Sequence, residues 1–160
     1  MTRRKEKQLA DIMVLVFRLN GRLLEQGDRL VEGLNLTSAR WQVLGALALA
    51  DRPLTAPQIA EAMGITRQGA QKQLNLLMDE GLLDRRPNPS HERSPLYRLT
   101  ATGKRTFAEA DRRCGLWAAD LGEALSEDAL HTTETVLGEL LARLNKPLPT
   151  HRQSERTSDD

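Results

Sequence analysis

From Leu54 to Gly103 the chain runs LTAPQIAEAMGITRQGAQKQLNLLMDEGLLDRRPNPSHERSPLYRLTATG. Two short amphipathic segments are split by a single glycine and followed at once by an arginine-rich, proline-bounded stretch. Thr55 and Gln58 have the spacing of a capping box, in which hydroxyl and amide satisfy opposite backbone donors, and Pro57 is tolerated in a first helical turn. A helix is therefore expected from Ala56, with Ile59, Ala60 and Met63 on its apolar side. Gly64 supplies the left-handed residue that stops it, and Thr66 caps a second helix running to about Glu80. This is the spacing of a helix-turn-helix.

Gly81 closes that helix. Leu82-Leu83 and Tyr97-Arg98-Leu99 are expected as two short strands, while Pro87, Pro89 and Pro95 cannot donate ladder hydrogen bonds and make the middle a loop. The loop from Arg85 to Arg93 would form a wing. The fold class that follows is mainly α with a small β-wing, a winged helix-turn-helix with further helices on either side.

Those flanking helices are legible from their periodicity. Leu9, Ile12, Met13, Val16, Leu19, Leu23 and Leu30 fall on one face of a long helix from Leu9 to about Val31, weakened at Gly21 and Gly27 and ended by Gly33. Thr37 is a cap for the next, whose Trp41, Val43, Leu44, Leu47 and Ala48 predict a largely buried helix closing before Asp51. Thr100 caps another, with Phe107, Ala110, Cys114, Trp117, Leu121 and Leu125 aligned. Ser126, followed by Glu127 and Asp128 at the positive end of the helix dipole, opens the last, with Leu130, Val136, Leu137, Leu140, Leu141 and Leu144. Pro147 and Pro149 end the pattern.

The second helix of the motif is the part that suggests a partner. Ala70, Leu74, Leu77 and Met78 make its buried stripe, and Gln68, Gln71, Lys72 and Asn75 share the opposite face. Solvated faces usually mix Glu with Lys, yet no acid occurs between Thr66 and Met78. A polyanion partner accounts for that. Amides both donate and accept, which suits the paired groups of adenine in the major groove, and Arg67 can fork onto guanine or hold a phosphate. The first turn enters deepest, which favours Thr66, Arg67, Gln68 and Gln71 over Asn75. In the wing, Arg85, Arg86, His91 and Arg93 would lie near the backbone or an adjacent minor groove. The alternative is that one of these arginines pairs with Asp84 or Glu92 and braces the hairpin.

Charge distribution agrees. The net charge is only +1, but residues 52 to 105 carry nine Lys or Arg against five Asp or Glu, and residues 106 to 160 carry six against eleven. The single cysteine, Cys114, excludes an internal disulfide and a thiolate-based zinc site. No apolar run approaches the roughly 20 residues of a membrane span, so a soluble cytoplasmic protein without membrane partners is expected. His91, His131 and His151 have neither helical metal-pair spacing nor a cluster of acids, and no phosphate loop or nucleophile elbow appears. Neither an enzyme, a cofactor nor a metal site is expected.

The segments LTSARWQVLGAL, LTAPQIAEAMGITRQGAQKQLNLLMDEGLLDRR and NPSHERSPLYRLTATGK resemble, in content and order, the MarR family of bacterial winged-helix transcriptional regulators, over about residues 9 to 145. The resemblance implies one domain over 1–145, with the winged helix-turn-helix at about 36–100, dimerisation helices at about 8–33 and 101–145, and a disordered tail over 146–160. It also implies a homodimer joined through the terminal helices and a wing Asp-x-Arg motif that reaches DNA; here His91 stands where that family commonly has Asp, with Arg93 retained. A small-molecule effector would sit between the dimerisation helices and the DNA-binding lobe, where Phe17, Arg18, Trp41, Cys114 and Trp117 are candidates by position. For the aromatic residues packing on an apolar face is the simpler role, and for Cys114 that of a buried, inert thiol.

The function expected is sequence-specific binding of double-stranded DNA by a homodimeric repressor on a pseudo-palindromic operator, released by a small ligand. Its alternative is a winged-helix scaffold for protein interaction, which would more often expose aromatic or aliphatic anchors on the second helix of the motif.

Overall fold

The computed structural model describes residues 2–146. Its elements are α1 (Arg3–Leu30), α2 (Ser38–Ala50), β1 (Leu54–Thr55), α3 (Ala56–Met63), α4 (Arg67–Asp79), β2 (Leu83–Arg86), β3 (Leu96–Leu99), α5 (Ala101–Gly122) and α6 (Glu127–Leu144). Chain packing divides them into one unit up to Trp117 and a second from Ala118 onward. The expected tail over 146–160 lies, but for Lys146, outside the described residues.

Local chemistry accounts for most boundaries. Thr37, Thr66 and Ser126 each accept a hydrogen bond from the third backbone N–H of the helix they precede. Thr55 and Gln58 form the complete capping box, and Gly64 takes φ 62° to end α3. Each such cap is worth about 1 kcal/mol.

Four expectations need correction. α1 begins at Arg3, six residues earlier than Leu9, because Arg3 to Lys7 are good helix formers with nothing to stop them. It runs unbroken through Gly21 and Gly27. A Cβ on Gly27 would meet the Ser38 hydroxyl at 2.5 Å, so this glycine allows α1 and α2 to touch. There the buried Ser38 donates from its N–H to Asp28 and from its hydroxyl to the Leu24 carbonyl. On α2, Val43, Leu44 and Leu47 are buried as expected, but Leu49 is 86% exposed. Leu125 falls beyond α5, in the turn before Ser126.

The sheet has the order β1-β3-β2, all antiparallel. β1 is a two-residue strand the spacing did not reveal, pairing Leu54 with Tyr97. β2 begins one residue later than expected and extends through Arg85 and Arg86, which pair with Tyr97 and Leu96. Those two arginines therefore lie on a strand, and the loop proper starts at Pro87.

The core gathers Val31, Val43, Leu44, Leu47, Ile59, Leu74, Leu77, Leu83 and Tyr97, contributed by α2, α3, α4, the sheet and the turn after α1. Full burial of each large aliphatic residue is worth about 1.5–3 kcal/mol. Arg40 on α2 pairs with Glu80 at the end of α4, largely out of solvent, and ties the two helices together.

The start of α5 locks onto the end of α4. Thr100 donates its hydroxyl to the Gly81 carbonyl at 2.7 Å and accepts from the Gly103 N–H at 3.0 Å, while its own N–H reaches the Leu82 carbonyl. Gly103 is buried against that same Leu82 peptide. Farther along α5, Arg113 holds Glu109 and also donates to the carbonyls of Leu30 and Glu32, gripping the end of α1. Arg112 and Arg113 hold the Glu109 carboxyl down to about 2, so this grip stays charged at any physiological pH.

Candidate nucleic-acid interface

α4 is fixed by its buried side. Ala70, Leu74 and Leu77 are fully buried and Met78 partly so, leaving Thr66, Arg67, Gln68, Lys72 and Asn75 exposed. Gln71 differs from expectation. It is half-buried, because its Nε2 donates both to Asn75 Oδ1 at 2.9 Å and to the Tyr97 hydroxyl at 3.1 Å.

The wing is built by register. Asp84 lies opposite Arg98, and the guanidinium donates to both carboxylate oxygens at 2.7 and 2.8 Å. Arg86 approaches the same carboxylate only to 4.0 Å. The brace expected of a wing arginine is thus supplied chiefly by Arg98 from the neighbouring strand. Arg85, Arg86, His91 and Arg93 are exposed. Asn88 closes the loop by donating to the Ser94 carbonyl and accepting from the Ser90 N–H.

Loop and helix then meet. Arg67, Gln68 and Gln71 from the start of α4 line an open groove with Arg93, Ser94 and Pro95 of the wing. Lys72 and Asn75 continue outward along α4, whereas Arg85 and Arg86 stand on β2, outside the groove's lining. This surface can donate to phosphate from its arginines and both donate to and accept from base edges through its amides.

Arg98 holds the Asp84 carboxyl below its ordinary range. A carboxylate with a depressed folded-state pKa stabilises fully above the unfolded value, near about pH 4, and loses that contribution as pH falls through the folded value. The hairpin is therefore expected to loosen as pH falls below the ordinary carboxylate range, before the helical core does. Amide hydrogen exchange followed across pH would show this, and uniform protection down to global acid unfolding would contradict it.

The effector candidates divide. Trp41, Cys114 and Trp117 line one hollow with Asn20, Leu23 and Gln42. Phe17 and Arg18 do not join it: Phe17 is 75% exposed, and Arg18 lines a separate hollow with Leu15, Leu19 and Arg22. Cys114 is half-buried, and burial with nearby Asp111 pushes its thiol up, away from the reactive thiolate. Among the described residues no group of three or more His, Cys, Asp or Glu gathers as a metal site, and no helix is long and apolar enough to cross a membrane.

The sequence model of the MarR family matches residues 34–94, which contain α2 through the wing. An uncharacterized protein of Mycobacterium tuberculosis is 35% identical over 142 residues, spanning 89% of this chain and 98% of that protein. The fold is similar to a solved MarR family transcription regulator, with a TM-score of 0.75 at 26% identity, covering 91% of this chain and 97% of that one. It is also similar to a mutant Escherichia coli MarR complexed with operator DNA, with a TM-score of 0.73 at 21% identity over 84% and 96% of the two chains. With its helix-turn-helix, arginine-bearing wing and flanking helices in this order, the chain belongs to the MarR family of winged-helix transcription regulators.

Proposed function

We propose that the protein is a homodimeric repressor that binds a pseudo-palindromic operator and occludes it from polymerase. The observation that carries this is the groove in which Arg67, Gln68 and Gln71 converge with the wing's Arg93, on a helix that carries no acid from Arg67 to Met78. Thr66, Arg67, Gln68, Gln71, Lys72 and Asn75 enter the major groove, with Gln68 and Gln71 reading base edges. Arg93 follows the wing into the adjacent minor groove or onto its backbone, with Arg85, Arg86 and His91 adding charge nearby. Two such heads related by a two-fold axis read half-sites about 10 bp apart. The hollow lined by Trp41, Cys114 and Trp117 takes a small effector that releases the operator.

The test is binding to DNA selected from a random duplex pool, measured against salt. Wild type should select a palindrome and weaken steeply with log salt. Gln68→Ala should lose about 1–3 kcal/mol of discrimination at one base pair per half-site, while Arg93→Ala should weaken all sequences alike and flatten the salt slope by about one per wing. A folded protein that selects no sequence at low salt would overturn the proposal and favour a protein-interaction scaffold.

A further inference from the structure

Gln71 is an amide of the α4 face whose donors are already committed within the protein. A primary amide has two N–H donors, and both are spent, one on Asn75 Oδ1 at 2.9 Å and one on the Tyr97 hydroxyl at 3.1 Å. Asn75 accepts that bond at its Oδ1. What remains without a hydrogen bond among the described residues is the Gln71 carbonyl as acceptor and the Asn75 amide as donor, two groups of opposite polarity one helical turn apart.

The anchor of this chain is stiff. Tyr97 is 1% exposed, sits on the central strand β3, and is paired with Leu54 on one side and Arg85 on the other. Its ring cannot follow a side chain that changes rotamer. An unheld glutamine samples three χ angles and can present either end of its amide, so it would accept a donor or an acceptor with little preference. A glutamine tied to a buried phenol presents one end.

Taking the operator-reading role of α4 as given, we infer that Tyr97 is a specificity-determining positioning residue: its hydroxyl holds Gln71, and through it Asn75, in one polarity before DNA arrives. Tyr97 itself touches no base. It connects the sheet under the wing to the reading face of α4, a connection the sequence separation of 26 residues conceals.

Tyr97→Phe keeps the ring and its packing and removes only the hydroxyl. Selection from a random duplex pool, run in parallel on wild type, Tyr97→Phe, Gln71→Ala and the double variant, reads the effect. Tyr97→Phe should lose about fivefold to tenfold of discrimination at the same base pair of each half-site that Gln71→Ala relaxes, a size appropriate to one base contact. Discrimination at the position read by Gln68, affinity for random DNA and the salt slope should not change, and adding Tyr97→Phe to Gln71→Ala should add nothing. An unchanged preference in a folded Tyr97→Phe protein, or an effect that adds fully to that of Gln71→Ala, would overturn the inference while wild type still selects an operator. Failure of wild type to select any sequence would instead remove the DNA-reading role on which it rests.

Discussion

Replacing Leu19 with aspartate is expected to convert the protein to a monomer and to lower operator affinity by at least about a hundredfold. Leu19 lies in α1, 50% exposed, two residues beyond the unbroken run Met13, Val14, Leu15, Val16 and Phe17. At 100° per residue, five consecutive apolar side chains go fully round the helix, and each of these five is 39% to 75% exposed. A helix apolar all round belongs in an interior. The described chain supplies no such interior for it, and a second copy is the simplest source, since a two-fold contact buries the same surface twice. The second unit carries a similar signature by itself, with Leu130, Val136, Leu141 and Leu144 of α6 exposed. In that arrangement Leu19→Asp places two carboxylates in an apolar contact, at several kcal/mol each. The operator then binds one head at a time and loses the effective-concentration gain of linked sites, about 10²–10⁴-fold. Sedimentation and operator titration measure both effects. A variant that stays dimeric with unchanged affinity, or a wild type that is already monomeric, would refute the assignment of α1 to the interface.

Gly103→Ala is expected to destabilise the fold by about 2 kcal/mol or more. The added Cβ would lie 2.0 Å from the Leu82 carbonyl oxygen and 3.0 Å from its carbon, both backbone atoms held by the hairpin. Overpacking costs about 1–3 kcal/mol, and the upper end or beyond where only backbone could yield, while the better helix propensity of alanine returns only about 1. The net loss corresponds to a fall of roughly 4–8 °C in Tm for a chain of this length. Gly115→Ala on the same helix, where a Cβ meets nothing within 4 Å, is the control and should be neutral or slightly stabilising. If the two variants melted alike, the close approach of α5 to the end of α4 would be wrong.

The contrast between these two glycines shows what a sequence can and cannot disclose. Both stand inside one helical pattern, and nothing local separates them; Leu82, whose carbonyl decides the matter, comes from an element about twenty residues away. Caps behave oppositely. Thr55 and Gln58, Thr66 and Ser126 act on backbone groups within three residues, so the helix starts they mark could be read directly. The buried stripe of Ala70, Leu74 and Leu77 was legible for the same reason, being a matter of period. Strand extents were not. Arg85 and Arg86 look like loop residues beside Pro87, and only pairing with Tyr97 and Leu96 draws them into β2. The Asp84–Arg98 pair and the Gln71–Tyr97 bond depend on that register, and neither could be found without it. Phe17 and Arg18 were candidates by position along α1, but the facing of a helix toward a particular hollow is set by packing, which brought Trp41, Cys114 and Trp117 together and left those two aside.

The acid-free stretch of α4 from Arg67 to Met78 also governs how such a protein would travel. With no carboxylate between Thr66 and Met78 to repel phosphate, duplex of any sequence attracts this face, and sequence-independent attraction lets a protein slide and hop along DNA between encounters. Most copies would then reside on the chromosome rather than in solution. On the proposed reading, search for an operator would become a one-dimensional scan in which Arg67 and Lys72 provide the track and the amides provide the stop. An effector that releases the operator has only to return the protein to that scan, since loss of the stop is enough to free the site while the charge that holds the track stays in place.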